Sequence, residues 1–294
     1  VRRNLWREWR RATAPIKLGL DKLLLDFADW NAHTAAERQV RYNVSIVRRF
    51  IEARRIGRPD EIVPAAVDAY LAALRRAGFC ARTLTAHRNS LGKFCRFLQI
   101  RGELEVNAAR MVEVRPEPKR PPRYLTSAQI HDLLCRAIEP AWIAGGVRVA
   151  LWAGLRLGEI MTLCWGDVGP KTITVGGSRP TKTRDFRIVP LKPELAAYLG
   201  KLERGPDRSP IFERHGAVWW NQRFRRLTAD LPPFGELPGP RIGNRWHLLR
   251  STWAVNCARA GATLWQLMAW GGWKTPQTVM RYINVARAAT PPEA

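Results

Sequence analysis

Four prolines fall inside the run VEVRPEPKRPPRY, residues 112–124, and they constrain this chain more than any other stretch. Proline fixes φ and has no N–H, so such a run cannot be a helix interior or a central strand and favours extended, polyproline-like backbone. A chain of 294 residues cut in this way is expected to fold as two bodies joined by a linker. Arg115, Lys119, Arg120 and Arg123 keep the linker cationic. The boundaries that follow are a basic tail over 1–20, a helical domain over 21–111, the linker over 112–124 and a second domain over 125–294.

Upstream of the linker the pattern is helical from about Leu20 to Asn107. Val40, Val44, Val47, Phe50 and Ile51 recur at helical spacing, and Gly78 closes the segment EIVPAAVDAYLAALRRAGF as a C-terminal cap. In ARTLTAHRNSLGKFCRFLQIRG, Leu84, Leu91, Phe94 and Leu98 are assigned inward. Arg82, His87, Arg88, Lys93 and Arg96 are left for the other side. The expectation is a bundle of about four helices with basic outer faces, available to an anionic partner or simply solvated.

Downstream, Thr126 or Ser127 can cap the helix in LTSAQIHDLLCRAI. The stretch GGVRVALWAGLRLGEIMTLCWGDVG is a buried helix interrupted near Gly154. Two short strands, KTITVGG and DFRIVPL, flank a turn carrying Lys182. Further helices and a Pro/Gly-rich loop lead to WHLLRSTWAVNCARAGATLWQLMAWGGWKTPQTVMRY. The fold class is thus mainly α with a small β-sheet.

Composition narrows the partner. Forty-nine Lys and Arg against 25 Asp and Glu give a formal charge of +24 with a 46% apolar fraction, so a globular protein with a polyanionic partner is expected. Nucleic acid leads that class and anionic membrane trails it. No run of about 18 apolar residues suggests a membrane span, and the first twenty residues lack the apolar core of an export signal. The five cysteines are scattered, odd in number and without a CxxC pair, which fits reduced cytosolic thiols and argues against zinc or a disulfide frame.

Within the second domain an ordered set stands out: GLRLGE with Arg156 and Glu159, then Lys182, then His247 and Arg250, then Trp273 nine residues before Tyr282. His247 and Arg250, three apart, leave the same face of a helix. Singly, each residue has an ordinary reading: a surface arginine paired with its own glutamate, an exposed turn lysine, a core histidine, a packing aromatic. Together they could act on a phosphodiester.

In their order and spacing GLRLGEIMTLCWGDV, TKTRDFRIVPL, HLLRSTWA and GGWKTPQTVMRY resemble the catalytic motifs of the tyrosine recombinases, the phage integrase and Xer family. RTLTAHRNSLGKFCRFL and the NAAR segment resemble that family's core-DNA-binding domain, so the likeness covers nearly the whole chain. It implies a helical, SAM-like core-binding domain followed by an α+β catalytic domain. It implies site-specific DNA strand cleavage and rejoining through a 3′-phosphotyrosine, with no metal, ATP or other cofactor. By resemblance Tyr282 is the nucleophile, Arg156 and Arg250 hold the non-bridging phosphate oxygens, and Lys182 protonates the 5′ leaving oxygen. His247 assists proton transfer at the tyrosine, and Glu159 orients His247 or an arginine. Where most relatives carry a second histidine this chain has Trp273, which can donate a hydrogen bond but cannot shuttle a proton. The implied partner is double-stranded DNA with paired half-sites, met by a tetramer in the synaptic complex, in the cytoplasm at the nucleoid and in the service of a mobile element or chromosome resolution. Two other readings stay open: a catalytically inactive DNA-binding remnant, and a topoisomerase-like enzyme. The C-terminal tail is expected to be too short and proline-rich for a docking helix.

Overall fold

The structure, a computed structural model, describes residues 18–118, 120–177, 186–213, 215–231, 234 and 243–288. The start of the basic tail, Lys119, Lys182, most of the Pro/Gly-rich loop and the last six residues lie outside the described residues. The chain divides into two compact units, Val1–Lys119 and Arg120–Ala294. Residues 113–118 and 120–126 around that division form neither helix nor strand, as four prolines require.

Unit one holds α1 (Leu18–Ala32), α2 (Glu37–Arg54), α3 (Pro64–Arg76) and α4 (Ala81–Ile100), with single 3₁₀ turns at Pro59–Glu61 and Ala108–Arg110. Pro64 opens α3 where its missing N–H costs nothing. The four helices bury Phe27, Phe50, Tyr70, Leu91 and Phe94 in one core, with Phe27 and Phe94 edge to face at 5.1 Å. Each such side chain contributes about 1.5–3 kcal/mol by leaving water.

His87 is not on the basic outer face of α4: it is 4% exposed, and its Nδ1 lies 3.0 Å from the Tyr70 hydroxyl. Leu84, His87, Leu91, Phe94 and Leu98 alternate three and four apart, so His87 belongs to the buried stripe. Burial, with cationic Arg49 adding to it, pushes the imidazole pKa down to about 4. Arg82, Lys93 and Arg96 are exposed, whereas Arg88 is half-buried and donates to Val112 O at 3.4 Å. Arg115, Arg120 and Arg123 are exposed.

Unit two is built around a long helix, α10. Before it come α5 (Ser127–Arg136), α6 (Ala141–Trp152), the one-turn α7 (Leu157–Ile160), α8 (Pro193–Leu199) and α9 (Ala217–Leu227). Then follow α10 (Gly243–Arg259), α11 (Leu264–Gly271) and α12 (Pro276–Ala288). Among the described residues one pair of antiparallel strands, β1 (Thr172–Val175) with β2 (Arg187–Pro190), is paired from Thr172↔Pro190 to Val175↔Arg187. Thr126 caps α5, accepting from Gln129 N while Gln129 reaches back to Thr126 N. α10 buries Trp246, Leu248, Leu249, Trp253, Ala254 and Val255, packing on α6 and α12. Only this near-complete burial lets a helix of low amphipathicity sit still. Among the described residues no helix is long and apolar enough to cross a membrane.

Candidate active site

The end of α6 sets the first residue. Gly154 has φ +65, and a Cβ there would stand 2.2 Å from the Trp253 ring, so glycine is needed both for the turn and for the close approach. The turn reverses the chain into Arg156, which precedes α7 with its backbone N–H donating to Glu159 Oε2 at 2.8 Å. The Arg156 guanidinium donates to Glu159 Oε1 at 2.9 Å and to Gly272 O at 3.2 Å, and its side chain stays 48% exposed.

Arg250 enters from α10 and is only 2% exposed. Its NH1 donates to Gly154 O at 2.5 Å and its NH2 donates to Gly271 O. The guanidinium carbon lies 4.4 Å from the centre of the Trp273 ring, a cation–π contact. Burial, then Arg156 nearby, pulls its pKa down to about 9, so the guanidinium keeps its charge at neutral pH. With two donors committed to carbonyls, Arg250 holds its remaining N–H groups in a fixed fork.

Trp273 is the centre of an aromatic stack. It lies 6.0 Å from Trp253, nearly parallel, and 5.3 Å from Tyr282. Gly272 ends α11 in the left-handed conformation at φ +60, and a Cβ on Gly271 would meet the Trp273 ring at 2.1 Å. Tyr282 sits on α12, buried against that ring, near enough to Arg250 for their charges to interact. The indole therefore packs between a nucleophile candidate and a buried arginine, a place that a smaller histidine ring would fill less completely.

His247, one turn before Arg250 on α10, is exposed. Removal of water from around its ring lowers its pKa, and Arg250, Arg156 and Arg281 push the same way. A lowered value keeps the imidazole neutral near pH 7, ready to take a proton. Glu159 is oriented by arginines: burial alone would raise its pKa, but Arg187 first and then Arg156 hold it down at about 2. Arg187 is the residue that motif reading passes over. It looks like an ordinary strand arginine, and only its distant partners reveal it. Arg156, Glu159, Arg250, Trp273 and Tyr282 are thus joined by contacts, and His247 lies within their electrostatic reach. Lys182 is outside the described residues.

Chemically, the cluster concentrates Arg156, Arg187 and Arg250 around the single carboxylate of Glu159, leaving net positive charge for an oxyanion. A hydroxyl and a neutral imidazole stand beside it. That is the equipment for phosphoryl transfer to a tyrosine.

Residues 123–288, more than half of the chain, match the phage integrase family, and the chain belongs to that family, the tyrosine recombinases. Among curated relatives it is similar to the tyrosine recombinase XerC of Mesorhizobium japonicum, 33% identical over 149 residues that make up 48% of this chain and 47% of that one. The corresponding XerC of Histophilus somni is 29% identical over 107 residues, covering 35% of this chain and 36% of its own. The chain thus spans about half or less of the length of the curated relatives it matches. In fold it resembles a lambda integrase dimer bound to a COC′ core site, with a TM-score of 0.73 at 17% identity over 93% of this chain and 98% of that one. The Tn1549 transposon integrase in complex with transposon right end DNA gives a TM-score of 0.69 at 17% identity, covering 91% and 98%.

Proposed function

We propose that this protein is a site-specific DNA recombinase that cuts and rejoins duplex strands without metal or ATP. The observation that carries the reading is the stack of Arg250, Trp273 and Tyr282, which brings a fixed cationic fork and a hydroxyl into one cluster. In this scheme Arg156 and Arg250 hold the non-bridging oxygens of the scissile phosphate. The Tyr282 oxygen attacks phosphorus and the bond to the 5′ oxygen breaks. His247 takes the tyrosine proton, and Lys182 protonates the departing 5′ oxygen. The phosphotyrosine on the 3′ side conserves the ester's energy, so a 5′ hydroxyl from a second strand can reverse the step with no outside energy source. Trp273 serves as a packing surface and hydrogen-bond donor where a histidine is common.

Unit one is assigned the task of gripping DNA. Trp30, Arg88, Lys93, Arg96 and Arg110 line a concave cleft on it, a surface suited to a phosphate backbone. Paired half-sites imply a tetramer in the synaptic complex, and a DNA substrate implies work at the nucleoid in the cytoplasm, for a mobile element or for chromosome resolution.

The test is covalent trapping on nicked duplexes drawn from a randomised half-site pool. The unaltered protein should yield a detergent-resistant protein–DNA complex, and Tyr282→Phe should yield none. Absence of that complex on DNA that the protein binds would favour an inactive DNA-binding remnant and sink the proposal. Supercoil relaxation with no site preference and no recombinants would point instead to a topoisomerase.

A further inference from the structure

Arg187 commits all three of its guanidinium nitrogens to protein acceptors. It sits at the start of β2, its side chain 11% exposed and that of its partner Glu159 10% exposed. NH1 donates to Glu159 Oε1 at 2.9 Å and NH2 to Oε2 at 2.7 Å, while Nε donates to Trp270 O at 2.7 Å. Its Cδ lies 3.1 Å from where a Cβ on Gly272 would stand, so the chain is laid directly on the left-handed turn. The same carboxylate also accepts from the backbone and the guanidinium of Arg156.

These bonds form a ladder at the carboxyl end of α11. Three successive carbonyls, those of Trp270, Gly271 and Gly272, accept from Arg187, Arg250 and Arg156 in turn. The last carbonyls of a helix have no partner within it and carry its negative pole, so three cations there are favourable. Two of the three arginines are the proposed phosphate ligands. Arg187 is the one that grips both oxygens of the Glu159 carboxylate while its Nε is also committed to a carbonyl.

Charge counting shows what it does for the others. Glu159 alone beside Arg156 would form a closed pair with no net charge, and a phosphate would have to pull Arg156 away from a buried carboxylate. With Arg187 also on Glu159, the trio carries net positive charge, and Arg156 can be oriented by the carboxylate without being captured by it. A plain stabilising salt bridge explains less, since a buried pair contributes little net stability over an apolar replacement.

We propose that Arg187 is a positioning residue for strand cleavage: it neutralises Glu159 so that Arg156 is free to bind the scissile phosphate, and ties β2 to the turn that carries Trp273. The inference rests on the reading of Arg156 as a phosphate ligand. Arg187→Gln should bind duplex within about twofold of the unaltered protein, because the side chain is buried, yet cleave about 10²-fold more slowly under single turnover, as a displaced ligand does. Glu159→Gln/Arg187→Gln, which removes both charges, should cleave faster than Arg187→Gln alone. Arg187→Lys, which keeps the charge without the fork, should fall between and guards against a misfolded glutamine variant, with melting followed for all. Arg187→Gln cleaving at the normal rate, losing DNA binding in proportion to cleavage, or gaining nothing from the second substitution would each overturn the proposal. A DNA-free arm separates this from the function itself: arginine-selective ¹⁵N NMR should show the Arg156 guanidinium immobilised by Glu159 in Arg187→Gln. An unchanged Arg156 signal overturns the inference even if Arg187→Gln cleaves slowly. Failure of the unaltered protein to trap DNA overturns the recombinase reading and leaves the NMR arm to decide the role of Arg187.

Discussion

The two units bury polar groups by different rules. Among the described residues of unit one the buried side-chain pairs are neutral and come from packed helices: Tyr70 with His87, and Ser90 donating to Asn43 Oδ1 at 2.9 Å. Its exposed cations stay on the surface. Unit two draws charge inward instead, with Arg250, Arg187 and Glu159 meeting where α7, α10, β2 and the end of α11 converge. A neutral pair is satisfied by one good partner, whereas a buried ion must be surrounded by dipoles and counter-charge. A cluster left with surplus positive charge costs stability that folding alone gives no reason to accept. The difference separates a unit whose polar core needs only itself from one whose polar core is left with charge to offer an anion.

Removing Arg250 should break that contrast most visibly. Arg250→Ala removes the proposed phosphate fork and leaves Gly154 O and Gly271 O without that donor. Single-turnover cleavage should fall by about 10³-fold. Each orphaned carbonyl costs about 1–3 kcal/mol, felt in unit two. Calorimetry of the whole chain reads whether the loss is confined there. An equal loss in unit one would mean that the two cores are not energetically separate.

The neutral core of unit one makes a smaller, pH-dependent prediction. His87 has its pKa lowered from the ordinary 6.5 to about 4, so the unfolded chain binds the proton more readily. The stability this contributes is complete above about pH 6.5 and is lost as pH falls through about 4, amounting to about 3 kcal/mol. Denaturant melts between pH 7 and 4 should show that slope, and His87→Gln should flatten it. A slope that survives the substitution would place the acid sensitivity elsewhere.

Much of this was legible in the sequence, and the exceptions share a cause. The helices of unit one follow from their apolar stripes, and the break near Gly154 from a glycine inside an apolar helix. The polarity of His87 points outward while the interval Leu84–His87–Leu91 places it on the buried stripe, and spacing prevails. Arg187 could not be found from local pattern at all. Its carboxylate partner lies 28 residues away and its carbonyl partner 83 residues away. Periodicity reports which face of an element is buried; a cluster assembled from four elements leaves no period. The contact of Trp273 with Arg250 was equally hidden, since a departure from a motif states what is missing and not what the replacement touches.

The surface cations of unit one provide the finest comparison, because they should matter for binding and hardly at all for folding. Arg82, Lys93 and Arg96 are exposed and can be neutralised together as Arg82→Gln/Lys93→Gln/Arg96→Gln, leaving Arg88 with its bond to Val112 O. Each change should move stability by no more than about 0.5 kcal/mol. If these side chains meet phosphates, the slope of log affinity for duplex against log salt should shrink by about 0.9 for each phosphate no longer neutralised. Measuring affinity across a salt series distinguishes the cases. An unchanged slope would make these cations a solvated face and move the burden of gripping DNA to other cations, Arg110 and the linker arginines among them. A reduced slope with unaltered melting would complete the contrast: one unit keeps its charges outside to meet many phosphates weakly, the other keeps them inside to meet one phosphate in a fixed geometry.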